Sequence, residues 1–201
     1  MAVSRVRLGM IGGGAGAFIG KVHRQAAALA GGIDLVAGAF SRDPASNAET
    51  GRDCGLPAQR VYASWQTLLD GEGRLDPAER INLLAIVTPN HLHAPISGAA
   101  LRAGIHVFCE KPAALSSAET TELAHLLAHS KALYGLAHTY QGYPMVWQAR
   151  HMVQAGAIGR LRKLHVEYPQ GWLSDDLAGQ GNRQAALVAV EADLQGVLLT
   201  G

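Results

Sequence analysis

Short apolar runs alternate with stretches of helical period along most of the chain. Val6-Arg7-Leu8-Gly9-Met10-Ile11 predicts a first strand, which ends in a cluster of glycines from Gly12 to Gly16. A helix is expected from about Gly20 to Leu29, stopped by the Gly31-Gly32 pair. Asp34 to Phe40 is nearly continuous in apolar character, as expected of a strand buried on both faces. Ser64 stands where an N-cap would, ahead of a short helix whose apolar face is Trp65, Leu68 and Leu69. The polar stretch from Asp70 to Pro77 reads as an exposed loop.

Asn82 to Val87 predicts a further buried strand, ended by Thr88-Pro89-Asn90. A helix follows from about Pro95 to Ala103 with Gly104 as its stop, and then a strand from Ile105 to Cys109. Ser116 and Glu119 have capping-box spacing ahead of a helix carrying Leu123, Leu126 and Leu127. Leu133 to Ala137 makes one more strand, and Pro144 is suited to open a helix that Gly156 or Gly159 closes. Strands separated by helices in this order predict an α/β fold, a doubly wound parallel sheet covered on both faces, up to about Tyr140. Neither an internal repeat nor a low-complexity tract interrupts it.

Composition narrows the function classes. With 201 residues, 48% of them hydrophobic, the chain can bury a core and is no disordered segment. Seventeen basic against sixteen acidic residues give a net charge of +1, which builds no field for nucleic acid. Two cysteines, Cys54 and Cys109, make no disulfide framework, so a reduced, cytoplasmic location is expected. Met1 to Arg7 offers no apolar signal region, and no apolar stretch is long enough to span a bilayer, so no membrane partner is expected.

The glycine cluster carries the first chemistry. Read as Gly12-x-Gly14-x-x-Ala17, it is a dinucleotide fingerprint between a strand and a helix, where backbone N–H groups and a helix N-terminus receive a pyrophosphate. Phe18 and Ile19 extend the loop beyond the usual fingerprint before Gly20, and which glycine takes which role stays open. About 20 residues on, where an acidic residue would bond the ribose of NAD, stand Ser41 and Arg42. A hydroxyl and a guanidinium suit a 2′-phosphate, so NADP is favoured; Asp43, two residues beyond Ser41, keeps NAD open. His91 and His93 could be read as metal ligands with Cys109, but no further ligand has matching spacing, and no metal site is expected. Glu110-Lys111-Pro112 follows a strand, and an ammonium placed there can stabilise a developing alkoxide or bond a substrate hydroxyl. A solvated surface lysine is the plain alternative.

Taken together, Gly12 to Gly20, Thr88-Pro89-Asn90-x-x-His93, Glu110-Lys111-Pro112 and His138-x-Tyr140-x-Gly142-Tyr143-Pro144-Met145 resemble the glucose–fructose oxidoreductase / inositol 2-dehydrogenase family, Gfo/Idh/MocA. The resemblance runs from about Val6 to about Ala186. It implies an NAD(P)-binding Rossmann domain over residues 1–140 and, over 141–201, the start of an α/β domain for substrate binding and oligomerisation. It also implies hydride transfer between NAD(P) and a hydroxyl carbon of a sugar, inositol or related polyol, and a homo-oligomer for full-length members, an expectation not carried over to a truncated chain. Carried over, Lys111 is the catalytic residue beside nicotinamide and substrate, with Glu110 and Pro112 shaping its loop. Thr88, Pro89, Asn90, His93 and Glu110 line the cofactor cleft, and His138 and Tyr140 lie near the substrate.

The sequence departs from the family towards its end. Members are usually considerably longer and carry a Gly-Asp-x-Gly-x-His-like segment that is not found here. Gly179 to Ala186 still resembles the family, whereas Leu187 to Gly201 does not, and a frameshift there is the expectation, with a divergent tail or a deliberately shortened chain as the plain alternative. Asp193 gains no support from the resemblance as a replacement acid. The second domain is therefore expected to be incomplete, and a dinucleotide-binding role without catalysis stays open beside the oxidoreductase reading.

Overall fold

Apolar side chains on both sides of the strands set the layering of the chain. A computed structural model describes residues 5–167. Five strands, β1 (Val6–Gly12), β2 (Ile33–Ala39), β3 (Leu83–Val87), β4 (His106–Cys109) and β5 (Tyr134–Leu136), pair in parallel in the order β2-β1-β3-β4-β5. Successive side chains of a strand point to opposite faces. On β3, Leu84 and Ile86 enter one core with Leu68, Ile96, Ala100, Leu101 and Leu123. Ala85 and Val87 enter the other with Leu8, Met10 and Phe40, against which Ile19 and Ala27 pack. Helix α1 (Phe18–Ala30) therefore covers one face, while α3 (Trp65–Gly73), α4 (His93–Arg102) and α5 (Ser117–Ala128) cover the other. Leu84 and Ile86 are fully buried, each contributing about 1.5–3 kcal/mol of apolar burial. In register, the small Ala85 lies between Met10 of β1 and Phe108 of β4.

This is the doubly wound α/β architecture that the alternation predicts, and three details differ from the sequence reading. Helix α1 begins at Phe18 with Ala17 as N-cap, so Phe18 and Ile19 belong to the helix rather than preceding it. A helix that periodicity did not predict, α2 (Pro44–Asp53), follows β2. Its sequence has no apolar stripe, and its ends and anchors make it. Asp43 accepts a hydrogen bond from the Ser46 N–H at 2.7 Å, and Pro44 occupies the first turn. The buried Asn47 accepts from Phe40 N–H at 2.8 Å and donates to the Tyr62 carbonyl at 2.9 Å.

The third difference is the expected loop from Asp70 to Pro77. Its first four residues, Asp70 to Gly73, continue α3, and Glu72 is fully buried. The Glu72 carboxylate accepts from Arg60 at 2.7 Å, from the Ile81 N–H at 2.9 Å and from the Tyr62 hydroxyl at 2.9 Å. Burial, and next the bond to Glu72, push the Tyr62 phenol up to about 12. A charge read as solvated is thus the hub of a buried network. Ser64 caps α3 as expected, in a reciprocal box with Thr67. Ser116 accepts from Glu119 N–H at 3.2 Å, but the Glu119 side chain reaches Leu115 N–H instead of completing the box.

Two compact units divide the chain, the first ending at Trp147 and the second beginning at Gln148. Pro144 opens α6 (Pro144–Gln154), which ends ahead of Gly156. Among the described residues, no helix is long and apolar enough to cross a membrane. The stretch from Gly179 to Ala186, the tail from Leu187 to Gly201 and Asp193 lie outside the described residues.

Replacing Arg60 by Met leaves Glu72 buried without its cation. It should cost about 3–5 kcal/mol, read as a lower urea midpoint with unchanged slope. Arg5→Met, which removes only the exposed pair with Asp34, should leave the midpoint where it is.

Candidate active site

Because all five strands are parallel, the segments that follow them gather at one edge of the sheet. The chain turns back between β1 and β3, and such a reversal opens a crevice at the carboxyl ends of the strands. Gly12 ends β1 with a φ of +83°, and a Cβ there would stand 2.5 Å from the Val87 carbonyl oxygen. Only glycine fits that turn. A Cβ on Gly20 would lie 2.3 Å from the Gly13 Cα, so α1 rests directly on the loop. The close-packing role assigned to Ala17 by the fingerprint is filled by Gly20, while Ala17 is the helix N-cap.

No side chain caps α1 at its N-terminus, and its first turn holds no acidic residue. The free N–H groups of such a turn, with the helix dipole, suit a pyrophosphate. Two bonds fix the loop: Arg24 donates to the Gly13 carbonyl at 2.8 Å, and Ala15 N–H donates to the Thr50 hydroxyl at 3.2 Å. A dinucleotide phosphate thus fits the residues present.

At the end of β2, Asn47 accepts a hydrogen bond from Ser41 N–H at 3.3 Å and so holds the segment that carries Arg42. Ser41, Arg42, Asn47 and Arg52 line a cavity of about 380 Å³. Neither guanidinium has an ion partner among the described residues. The Asp43 carboxylate is turned into α2 as its cap.

Thr88, Pro89 and Asn90 follow β3. Pro89 is exposed, and the Thr88 hydroxyl is buried without a hydrogen-bond partner. His93, expected to line the cleft, is instead fully buried behind it. Its Nδ1 lies 2.6 Å from the Pro112 carbonyl oxygen and its Nε2 lies 2.9 Å from that of Thr88. Cys109 is also fully buried, and burial above all pushes its thiol up to about 11. Neither offers a ligand atom at the surface, and no group of three His, Cys, Asp or Glu stands together to hold a metal among the described residues.

After β4, Glu110 turns its side chain towards α1 and meets His23, Nε2 to Oε1, at 2.8 Å. Its other oxygen accepts from the Lys111 N–H at 3.3 Å. Burial raises the Glu110 carboxyl, but His23 and Lys111 outweigh it and hold the group below the ordinary glutamate range. Glu110, placed by the sequence reading among the cofactor contacts, thus reaches helix α1, and Lys111 is left exposed at the sheet edge. His138 and Tyr140 follow β5, also exposed, with the Tyr140 ring edge-on to Tyr143 at 5.5 Å. Sequence reasoning missed His23, Arg24, Asn47 and Thr50. These are lone polar residues on helices, and only the folded chain brings them to the loops they hold.

Comparison with known proteins agrees with this geometry. Residues 6–138 match the model of the Gfo/Idh/MocA oxidoreductase family with its NAD-binding Rossmann fold. A levoglucosan dehydrogenase of Pseudarthrobacter phenanthrenivorans is 31% identical over 180 residues, 86% of this chain and 43% of that protein. An oxidoreductase from Sinorhizobium meliloti superposes with a TM-score of 0.79 at 44% identity, covering 86% of this chain and 47% of that one. An inositol dehydrogenase homologue from Azotobacter vinelandii, solved with NAD+, superposes with a TM-score of 0.84 at 35% identity, covering 92% and 46%. The chain therefore spans less than half the length of these relatives.

Two outcomes follow from the geometry. Gly20→Ala should cost roughly 1–3 kcal/mol by overpacking and weaken NAD(P)H binding, followed by fluorescence. Gly73→Ala, whose Cβ meets nothing within 4 Å, should leave both unharmed. The stability that Glu110 contributes is present above the ordinary glutamate range and is lost as pH falls through its lowered folded value. The gap in urea midpoint between the natural chain and Glu110→Gln should accordingly be widest near neutral pH and close in acid.

Proposed function

The chain belongs to the Gfo/Idh/MocA oxidoreductase family, and on that premise we propose that it transfers hydride between NAD(P) and a hydroxyl carbon of a sugar, inositol or related polyol. The observation that carries this reading is the exposed Lys111, held at the same sheet edge as the glycine loop. The names of the inositol dehydrogenase homologue and the levoglucosan dehydrogenase support the polyol class. Residues 1–140 serve as the cofactor domain in this reading, and 141–201 begin a substrate domain.

The dinucleotide supplies the hydride acceptor, or in reverse the donor. Gly12 and Gly14 would lie under its pyrophosphate, and the first turn of α1, with Phe18 and Ile19, would receive the phosphate charge. Thr88, Pro89 and Asn90 border the cleft beside the glycine loop. In the reducing direction the Lys111 ammonium donates a hydrogen bond to the substrate carbonyl oxygen and stabilises the negative charge that grows there as hydride arrives at the carbon; in reverse it stabilises the alkoxide left when the hydroxyl proton departs to solvent, from whose carbon hydride then leaves. In the reducing direction that charge is absent from the bound carbonyl and develops towards the transition state, so the lysine acts on turnover more than on binding. His138 and Tyr140 stand on the substrate side.

We further infer that NADP(H) is the preferred cofactor. Among the described residues Arg42 and Arg52 have no ion partner beside Ser41, and Asp43 is engaged as a helix cap, which supports a 2′-phosphate rather than a free ribose. Arg42→Ala should weaken NADPH binding by about 1.5–3 kcal/mol and leave NADH almost unchanged, as read by calorimetric titration. Equal losses for both would remove the assignment. Turnover is assayed on inositols and aldoses with each cofactor; binding without turnover on any of them would favour a dinucleotide-binding role instead.

A further inference from the structure

We propose that His23 and His93 are positioning residues for Lys111, gripping the residues immediately before and after it. The inference rests on the reading of Lys111 as the catalytic ammonium. On one side, His23 meets the Glu110 carboxylate at 2.8 Å, with the two side chains only 9% and 12% exposed. The His23 ring also packs against Phe108 of β4, ring centres 5.4 Å apart. On the other side, His93 faces the Pro112 carbonyl at 2.6 Å. A carbonyl oxygen only accepts, so a bond there needs the ring proton on Nδ1. The second nitrogen of His93 faces the carbonyl of Thr88, which follows the neighbouring strand β3, and a neutral ring donates to one of the two carbonyls at a time.

Lys111 is thereby tied to two other segments that border the cofactor crevice. His23 sits on α1, the helix whose N-terminus is suited to the pyrophosphate, and its bond to Glu110 spans 87 positions of sequence. His93 joins the segments that follow β3 and β4. An exposed lysine on an untethered turn would sample many rotamers and lose most of the benefit of its charge. With the flanking residues fixed from both sides, only its own side chain remains to be ordered. Occupation of the α1 N-terminus and the placement of the ammonium then become linked through His23 and Glu110.

The test separates positioning from catalysis. The chain has four lysines, Lys21, Lys111, Lys131 and Lys163, so each can be followed by acetylation and mass spectrometry. In the natural chain, saturating NADPH should slow acetylation of Lys111 about fivefold and leave Lys131 unchanged. His23→Leu should reduce that protection to less than about twofold while NADPH affinity stays within about threefold. Amide exchange at Lys111 should rise about tenfold in the same variant, with the amides of Leu84 and Ile86 unmoved. His23→Gln, which keeps a donor for Glu110, should restore both readouts. Should His23→Leu fail to fold, Glu110→Ala cuts the same contact from the other end and is read by the acetylation protection alone, since it also removes the acceptor of the Lys111 N–H; His93→Gln tests the second grip by both measurements. Unchanged amide exchange and unchanged protection in folded His23 and His93 variants would overturn the proposal. If bound NADPH fails to protect Lys111 in the natural chain while the variants still raise its amide exchange, the catalytic reading falls and the grip stands.

Discussion

Helix α1 meets the glycine loop with no side chain between them, and the geometry of the cofactor crevice depends on that contact. Gly13 and Gly20 touch backbone to backbone, which brings the first turn of α1 down to the carboxyl end of β1. Were the helix held further out, its N–H groups would no longer converge on the position where phosphate is expected, and His23 would no longer reach Glu110. A steric minimum at one point therefore sets both the anion-binding end of the site and the tether to the lysine. Arg24 and Thr50 then lock the loop that the glycines allow.

Much of the scaffold was legible from periodicity. The central strands β1 and β3 bury both faces, so their runs of Leu, Ile, Val and Ala stand out against the helices between them, while α4 shows its Gly104 stop and α5 its Ser116 cap. Helix α2 was not legible, because Pro44 to Asp53 has no apolar stripe and exists through Asp43, Pro44 and Asn47. Glu72 shows the same limit in reverse. In a run of Asp, Gly, Glu and Arg it looks solvated, and only Arg60, Tyr62 and Ile81 brought in from elsewhere explain its burial.

For the candidate site, residue types pointed to one edge of the sheet, where the structure gathers them, but not to the division of labour there. The motif after β3 suggested a His93 that faces the cleft, whereas the ring is a buried brace between two carbonyls. Glu110 was legible as a neighbour of Lys111, but its partner His23 lies far away in sequence and carries no motif of its own. The fingerprint spacing left the roles within the glycine cluster open, and only the fold shows that Gly20 makes the close helix contact while Ala17 caps the helix. Spacing along the chain identifies what faces a common edge; which groups touch depends on tertiary distances that no local pattern encodes.

The position of Ala85 between Met10 and Phe108 bears on how the chain avoids misaligning its central strand. In a half-solvated sheet, a slip by one residue is penalised because it turns apolar groups to water. Here both faces of β3 are buried, and polarity does not discriminate between the two alignments. Volume does. A slip would bring Leu84 or Ile86 into the place of a single methyl group, between two large side chains, and the register of β3 is thereby proofread by bulk rather than by solvent.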